Sequence, residues 1–296
     1  MRKKRSQQWQ FSLVHGRMYD TNMSVELTIL LDGPSDSSVP AEQGLSILVR
    51  GPGRTMLFDC GGSVEALASS AAQLGPGASG INGVILSHGH CDHTGGLAAL
   101  ASSLPEGTEV FAHAGAFSRR WADEPGSSLK DLSCPRTADW LTGAGFRLHW
   151  VREPQKIEDW MILSGPIGGP PVDEASYVVR KGEELVEDTF EDEIFVLLRG
   201  QDGWVVLTGC CHRGLRNTLR CARFLAHDEP ISAIVGGLHL EDASQGRLDD
   251  AIELFRQTPG TKIYPCHCTG NDAVEYLRVH LPQQVYPIGA GSKITL

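Results

Sequence analysis

The segment ILSHGHCDHTGGL, residues 85–97, carries His88, His90, Asp92 and His93 within six positions, after an apolar run and just before Gly95 and Gly96. The whole chain has 11 histidines, and three of them fall here. Neutral imidazole and carboxylate are preferred ligands of zinc and related divalent metals. Alternation along an extended segment points His88 and His90 to one side. A turn after residue 90 can swing Asp92 and His93 around a second centre, so one short stretch can serve two metals. A set of surface histidines ordering a turn would explain one such residue, but not four in an H-x-H-x-D-H pattern.

Such a cluster must be held by rigid elements on both sides. In the first half, VELTILL (25–31), LSILVR (45–50), TMLFDC (55–60), GVILS (83–87) and TEVFAH (108–113) read as strands, with helical patterns in SVEALASSAAQLG and GGLAALASSL. In the second half, IFVLLRG (194–200) and GWVVLTG (203–209) read as a hairpin through Gln201, Asp202 and Gly203. LRNTLRCARFLA, LDDAIELFRQ and DAVEYLRVHL are helical in pattern, and ISAIVGG and TKIYPC are strands. Strand and helix alternate in both halves, which predicts an α/β fold with helices covering sheets. Residues 114–136 and 152–192 fit neither period and read as lids, binding loops or disorder. The acidic run EDTFEDE within the second reads as a solvated face.

Composition narrows the partners. The chain has 296 residues, 41% of them hydrophobic, enough for a sizeable core. Lys and Arg number 26 against 36 Asp and Glu, a net charge of −10, which argues against a nucleic-acid or anionic-membrane partner. The basic start, MRKKRSQQWQFSLVHG, lacks the apolar core of a signal peptide, and no apolar run is long enough to span a bilayer. The expectation is a cytoplasmic protein acting on a small molecule. Eight cysteines are too sparse for a disulfide scaffold and read as reduced thiols packed as small hydrophobes, with a metal-thiolate or redox role as the alternative.

The H-x-H-x-D-H pattern after a buried strand resembles the signature of the metallo-β-lactamase superfamily. LFDCGG (57–62) is similar to that family's early Asp-Gly turn, LTGCCHRGLRNT (207–218) to its next motif and PCHCTG (265–270) to its last. The resemblance spans residues 25–290 and implies a single αββα sandwich over 25–296, with 1–24 as an N-terminal extension. It also implies two divalent ions, one held by His88, His90 and His212 and the other by Asp92, His93 and His267, with Asp59 supporting the site from behind. Zinc is the expected metal, iron or manganese the alternatives. Where many members carry an acidic residue or cysteine bridging both ions, this chain reads IVGGLHLEDAS, with His239 at the strand end and Asp242 late in the motif. A bridging carboxylate is therefore in question, and His239 is expected to face the substrate.

TGC-x-H-x-G, GG-x-HL and HCTG, with His113 in FAHAGAF, are similar to one branch of that superfamily. It joins a dihydropterin-methyl diphosphate to a ribofuranosyl-aminobenzene phosphate. Three functions follow. The first is hydrolysis of a small anionic ester, lactone or phosphoester by a metal-activated water, with Asp92 and His239 catalytic and His113 and His239 binding substrate. The second is the branch's C–N bond formation. The third is a metal-holding module without turnover.

Overall fold

A computed structural model describes residues 24–33, 44–74, 80–123, 126, 128–170 and 177–296. The proposed extension 1–24 lies, but for its last residue, outside the described residues. The chain runs β1 (Glu26–Asp32), β2 (Leu45–Gly51), β3 (Arg54–Phe58), α1 (Val64–Leu74), β4 (Gly83–Ile85), α2 (Cys91–Thr94), α3 (Leu97–Ala101) and β5 (Glu109–Ala112). There follow β6 (Arg120–Ala122), β7 (Lys130–Asp131), α4 (Ala138–Gly143), β8 (Arg147–Trp150), β9 (Gln155–Glu158), β10 (Met161–Leu163), β11 (Tyr177–Lys181) and β12 (Glu184–Glu187). The last third is β13 (Val196–Gly200), β14 (Gly203–Thr208), α5 (Leu215–Leu225), β15 (Ile231–Gly236), α6 (Gln245–Arg256), β16 (Lys262–Pro265), α7 (Asn271–His280) and β17 (Lys293–Thr295).

Two sheets form the centre. One has the order β17-β1-β2-β3-β4-β5-β8, the other β16-β15-β14-β13-β10-β9. Each half of the chain supplies one sheet, except that β17 crosses back to pair with β1. Side-chain alternation builds the layers. In β14, Val205 and Leu207 face the other sheet, where they meet Ile47, Phe58 and Ile85, while Trp204 and Val206 face outward. On the outward face of the second sheet lie Leu215, Leu219 and Ala222 of α5, Phe255 of α6 and Leu277 of α7. These α5 positions recur at helical spacing, and each fully buried leucine contributes about 2 kcal/mol. Leu67, Leu97, Leu100 and Leu141 cover the first sheet in the same way. The result is the expected αββα sandwich.

The segments expected to be loops are partly strands. Strands β6, β7, β11 and β12 make a third sheet, ordered β12-β11-β6-β7, and β9 and β10 edge the second central sheet. Runs of two to five residues are too short to display a period, and their partners are distant: Tyr177 pairs with Ala122. The third sheet is tied to the histidine segment through a bridge between His90 and Ser133 and the bond from Cys91 N–H to Leu132 O. Among the described residues, no helix is long and apolar enough to cross a membrane.

Candidate metal centre

Strands β3, β4 and β5 run parallel in the first sheet, as do β14, β15 and β16 in the second. The expected site residues follow the carboxyl ends of these strands: Asp59 after β3, His88 to His93 after β4, His212 after β14, His239 after β15 and His267 after β16. Side-by-side parallel strands bring their carboxyl ends to one edge, where α/β sheets bind ligands. Residues far apart in sequence therefore meet.

They meet in two groups. The ligating atoms of His88, His90 and His212 lie within 4.8 Å of one another, and so do those of Asp92, His93 and His267. Cys210 stands between them: it groups with His88 and His93, and again with His267 and Cys268. Asp92 Oδ2 is 3.5 Å from His267 Nε2 and 3.8 Å from His93 Nε2. His239 belongs to neither three-residue set, but its ring centre is 4.3 Å from that of His212. Asp242 is exposed and joins neither.

The donor chemistry fits divalent cations. Burial, reinforced by neighbouring imidazoles and Arg120, pushes His88 and His90 well below the ordinary histidine pKa, so both rings are neutral. Among the described residues, neither His88 Nε2 nor His90 Nε2 has a hydrogen-bond partner, although both are buried. A buried polar atom left in this way costs about 1–3 kcal/mol, which a bound cation would recover. Burial also opposes a charge on His93, but Asp92 and Asp59 outweigh it and raise its pKa to about 9. The same imidazole, with His267, holds the Asp92 carboxyl below its ordinary range despite burial.

Asp59 fixes the tautomers. Its carboxylate accepts from Ser87 N at 2.7 Å, from Ser87 Oγ at 2.7 Å and from His93 Nδ1 at 2.7 Å. Ser87 Oγ spends its proton on Asp59, so at 2.9 Å it accepts from His88 Nδ1–H. His88 Nε2 is then a lone-pair donor aimed at the centre, and His93 Nε2 becomes one when a cation displaces its proton, an inference from the network. Gly209 allows this approach, since a Cβ there would stand 2.1 Å from Ser87 Oγ. Asp59→Asn would set an NH₂ either against Ser87 N–H, in place of Oδ1, or against the protons of both Ser87 Oγ and His93 Nδ1, in place of Oδ2. It is expected to weaken metal affinity about 10–100-fold, read by chelator competition. Unchanged affinity would mean that Asp59 only shapes the turn.

The acidic run EDTFEDE is not a solvated face. Asp188, Asp192 and Glu193 are buried. Asp192 accepts from Gly89 N at 2.9 Å and pairs with buried Arg120 at 3.0 Å, and Asp188 lies 3.3 Å from the same guanidinium. Glu193 accepts from the backbone N–H of His212 at 2.7 Å and of Arg213 at 2.6 Å, while burial raises its pKa to about 7. Phe190 stacks on His212, with ring centres 4.0 Å apart. Burial raises the Asp32 carboxyl to about 6, partly offset by His267, whose backbone it hydrogen-bonds. These braces went unseen because their partners are far away in sequence.

Strain gathers here too. Asp59, Phe190, Cys211, His239 and His267 all have φ between 49° and 70°. Such a backbone costs a non-glycine residue about 1–2 kcal/mol and clusters at functional sites. A cavity of about 390 Å³ opens onto the centre, lined among others by Asp92, Lys130, Tyr177, His239, His267 and Asn271. His113, expected to bind substrate, is not in that lining. Its Nδ1 instead accepts from Gly115 N at 3.1 Å and caps a 3-10 turn at Ala114–Phe117. All eight cysteines are free thiols.

Comparison with known proteins agrees with this architecture. The 7,8-dihydropterin-6-methyl-4-(beta-D-ribofuranosyl)-aminobenzene-5'-phosphate synthase of Methanocaldococcus jannaschii is 26% identical over 267 residues, covering 86% of this chain and 90% of that protein. A solved metal-dependent hydrolase of the beta-lactamase superfamily superposes with a TM-score of 0.76 at 29% identity, over 91% of this chain and 98% of its own. Zinc-bound PqqB from Methylobacterium extorquens has a TM-score of 0.56 at 14% identity, over 92% of this chain and 100% of its own, a likeness of fold. The sequence profile of the metallo-beta-lactamase superfamily matches residues 39–200. The chain belongs to the metallo-beta-lactamase superfamily.

Proposed function

We propose that this chain is a dinuclear metal-dependent hydrolase acting on a small anionic ester, lactone or phosphoester. The observation that carries the reading is the pair of three-residue groups, of which His90 and His212 from one and Asp92 and His267 from the other line a single open cavity. Three protein ligands per ion leave coordination room for water and substrate, as catalytic sites require. Bound there, zinc, or iron or manganese in its place, would supply Lewis acidity and a water of lowered pKa. Asp92, whose side chain is 33% exposed, orients the attacking water with the carboxylate oxygen turned from His93 and His267. Lys130 and His239 line the cavity and recognise the negative charge. His239 also donates a proton as the leaving group departs.

A second reading is C–N bond formation between a dihydropterin-methyl diphosphate and an arylamine, favoured by an alignment at 26% identity that covers 90% of the synthase. There the same residues bind the departing diphosphate. Metal analysis of anaerobically purified protein, followed by turnover in ¹⁸O-labelled water, separates the two. The panel comprises esters, lactones, phosphodiesters, and a pterin diphosphate with an arylamine. We expect two ions per chain and label incorporated into a hydrolysed product. Product formation only with the arylamine, without label, would sink the hydrolase reading. A metal-loaded chain inert to the whole panel would point to a binding module.

A further inference from the structure

We propose that Cys210 is a thiolate ligand shared by the two metal positions, filling the place of a bridging carboxylate. This rests on the dinuclear reading above. His88 belongs to the first ligand group, and His93 and His267 to the second. Cys210 Sγ lies within 4.8 Å of the ligating atoms of all three. It is 3.1 Å from His93 Nε2, the nitrogen that Asp59 leaves facing the centre. Bonds of about 2.0 and 2.3 Å at a tetrahedral angle put nitrogen and sulfur ligands of one zinc about 3.5 Å apart. The observed separation is near that value. With the thiolate as a fourth protein ligand, each ion would expand to five-coordinate to take water or substrate.

The alternatives for a shared ligand are poor. Among the described residues, Asp92 groups only with His93 and His267, and Asp242 is exposed. A histidine bridges two ions only by losing both ring protons. A thiolate has lone pairs for both and suits zinc or iron better than magnesium or calcium. The turn that carries Cys210 packs tightly against Gly237, whose N–H donates to Gly209 O at 3.1 Å. A Cβ on Gly237 would stand 2.3 Å from Gly209 O and 2.6 Å from Cys268 Sγ. Cys268 joins only one group, and its Sγ lies 3.4 Å from Cys210 O. Binding forms metal–sulfur bonds and releases the Cys210 thiol proton to water, one per chain.

Anaerobic titration of the metal-free full chain with Co²⁺ tests this. Wild type should take up two ions and develop a sulfur-to-cobalt charge-transfer band in the near ultraviolet that grows through both equivalents. Cys210→Ser should lose most of that band and bind its second ion at least about tenfold more weakly. Cys210→Asp should regain two-ion binding without the band, and Cys268→Ser should keep the band. X-ray absorption on zinc-loaded wild type gives the same answer without any variant, as zinc–sulfur scattering at both ions. Two ions bound with no band or no sulfur scattering would overturn the shared thiolate alone. A band that survives Cys210→Ser and vanishes in Cys268→Ser would overturn it as well. Uptake of a single ion by wild type would overturn the dinuclear reading and the bridge with it.

Discussion

Replacing His88 with alanine is expected to lower turnover at least about 10³-fold, the several kcal/mol of transition-state stabilisation that a Lewis-acidic ion supplies. The imidazole is fully buried and neutral, and its Nδ1 is tied through Ser87 to Asp59. Alanine removes one of the three imidazoles of the first group. It also frees Ser87 Oγ, which shares the Asp59 carboxylate with His93, so the second group is disturbed too. The metal-free protein should respond differently. His88 Nε2 is a buried atom without a hydrogen-bond partner, so its loss offsets part of the cavity left behind. We therefore expect metal-free His88→Ala to melt near metal-free wild type. Added zinc should raise the melting temperature of wild type and that of the variant much less. A variant that keeps two ions and turns over within tenfold of wild type would exclude His88 from the centre.

That histidine was legible because ligand spacing is local. One strand end and one turn carry four candidate ligands, and the pattern survives in the linear sequence. The central sheets were legible for the same reason: β14 is apolar from Trp204 to Leu207 and buried throughout, and β2 is mostly apolar and buried from Leu45 to Val49. What supports the centre was not. Asp192 binds the N–H of Gly89, 103 residues away, and Arg120 balances two carboxylates that arrive from beyond position 187. Read alone, EDTFEDE has only the polarity of a surface, since nothing local announces a buried guanidinium. Cys210 was similarly hidden. In sequence it is a small residue beside a histidine; only the meeting of the β14 and β16 ends puts its sulfur between two groups of imidazoles. His113 is the converse case. A histidine at a strand end, in the right order among motifs, turns out to cap the following turn.

His239 is where this chain departs from the commoner pattern, and its substitution separates catalysis from metal binding. It lies on the cavity wall beside His212, outside both ligand groups, and Arg247 holds its carbonyl at 2.8 Å. Its φ of 50° is a conformation that histidine and asparagine tolerate better than alanine. His239→Asn should therefore keep the backbone and the melting temperature, while His239→Ala should lose about 1 kcal/mol of stability. Both variants should retain two ions per chain. Both should lose turnover by about 10²–10⁴-fold, the range for a positioned acid–base group. If His239 also clamps a negative charge, KM will rise for anionic substrates and not for neutral esters of similar size. The proof lies in measuring metal content, melting and steady-state kinetics on the same preparations. Loss of one ion from both variants would make His239 a ligand, one donor beyond the two groups and Cys210. Rates within threefold of wild type would leave it a strand-end residue that merely happens to face the cavity.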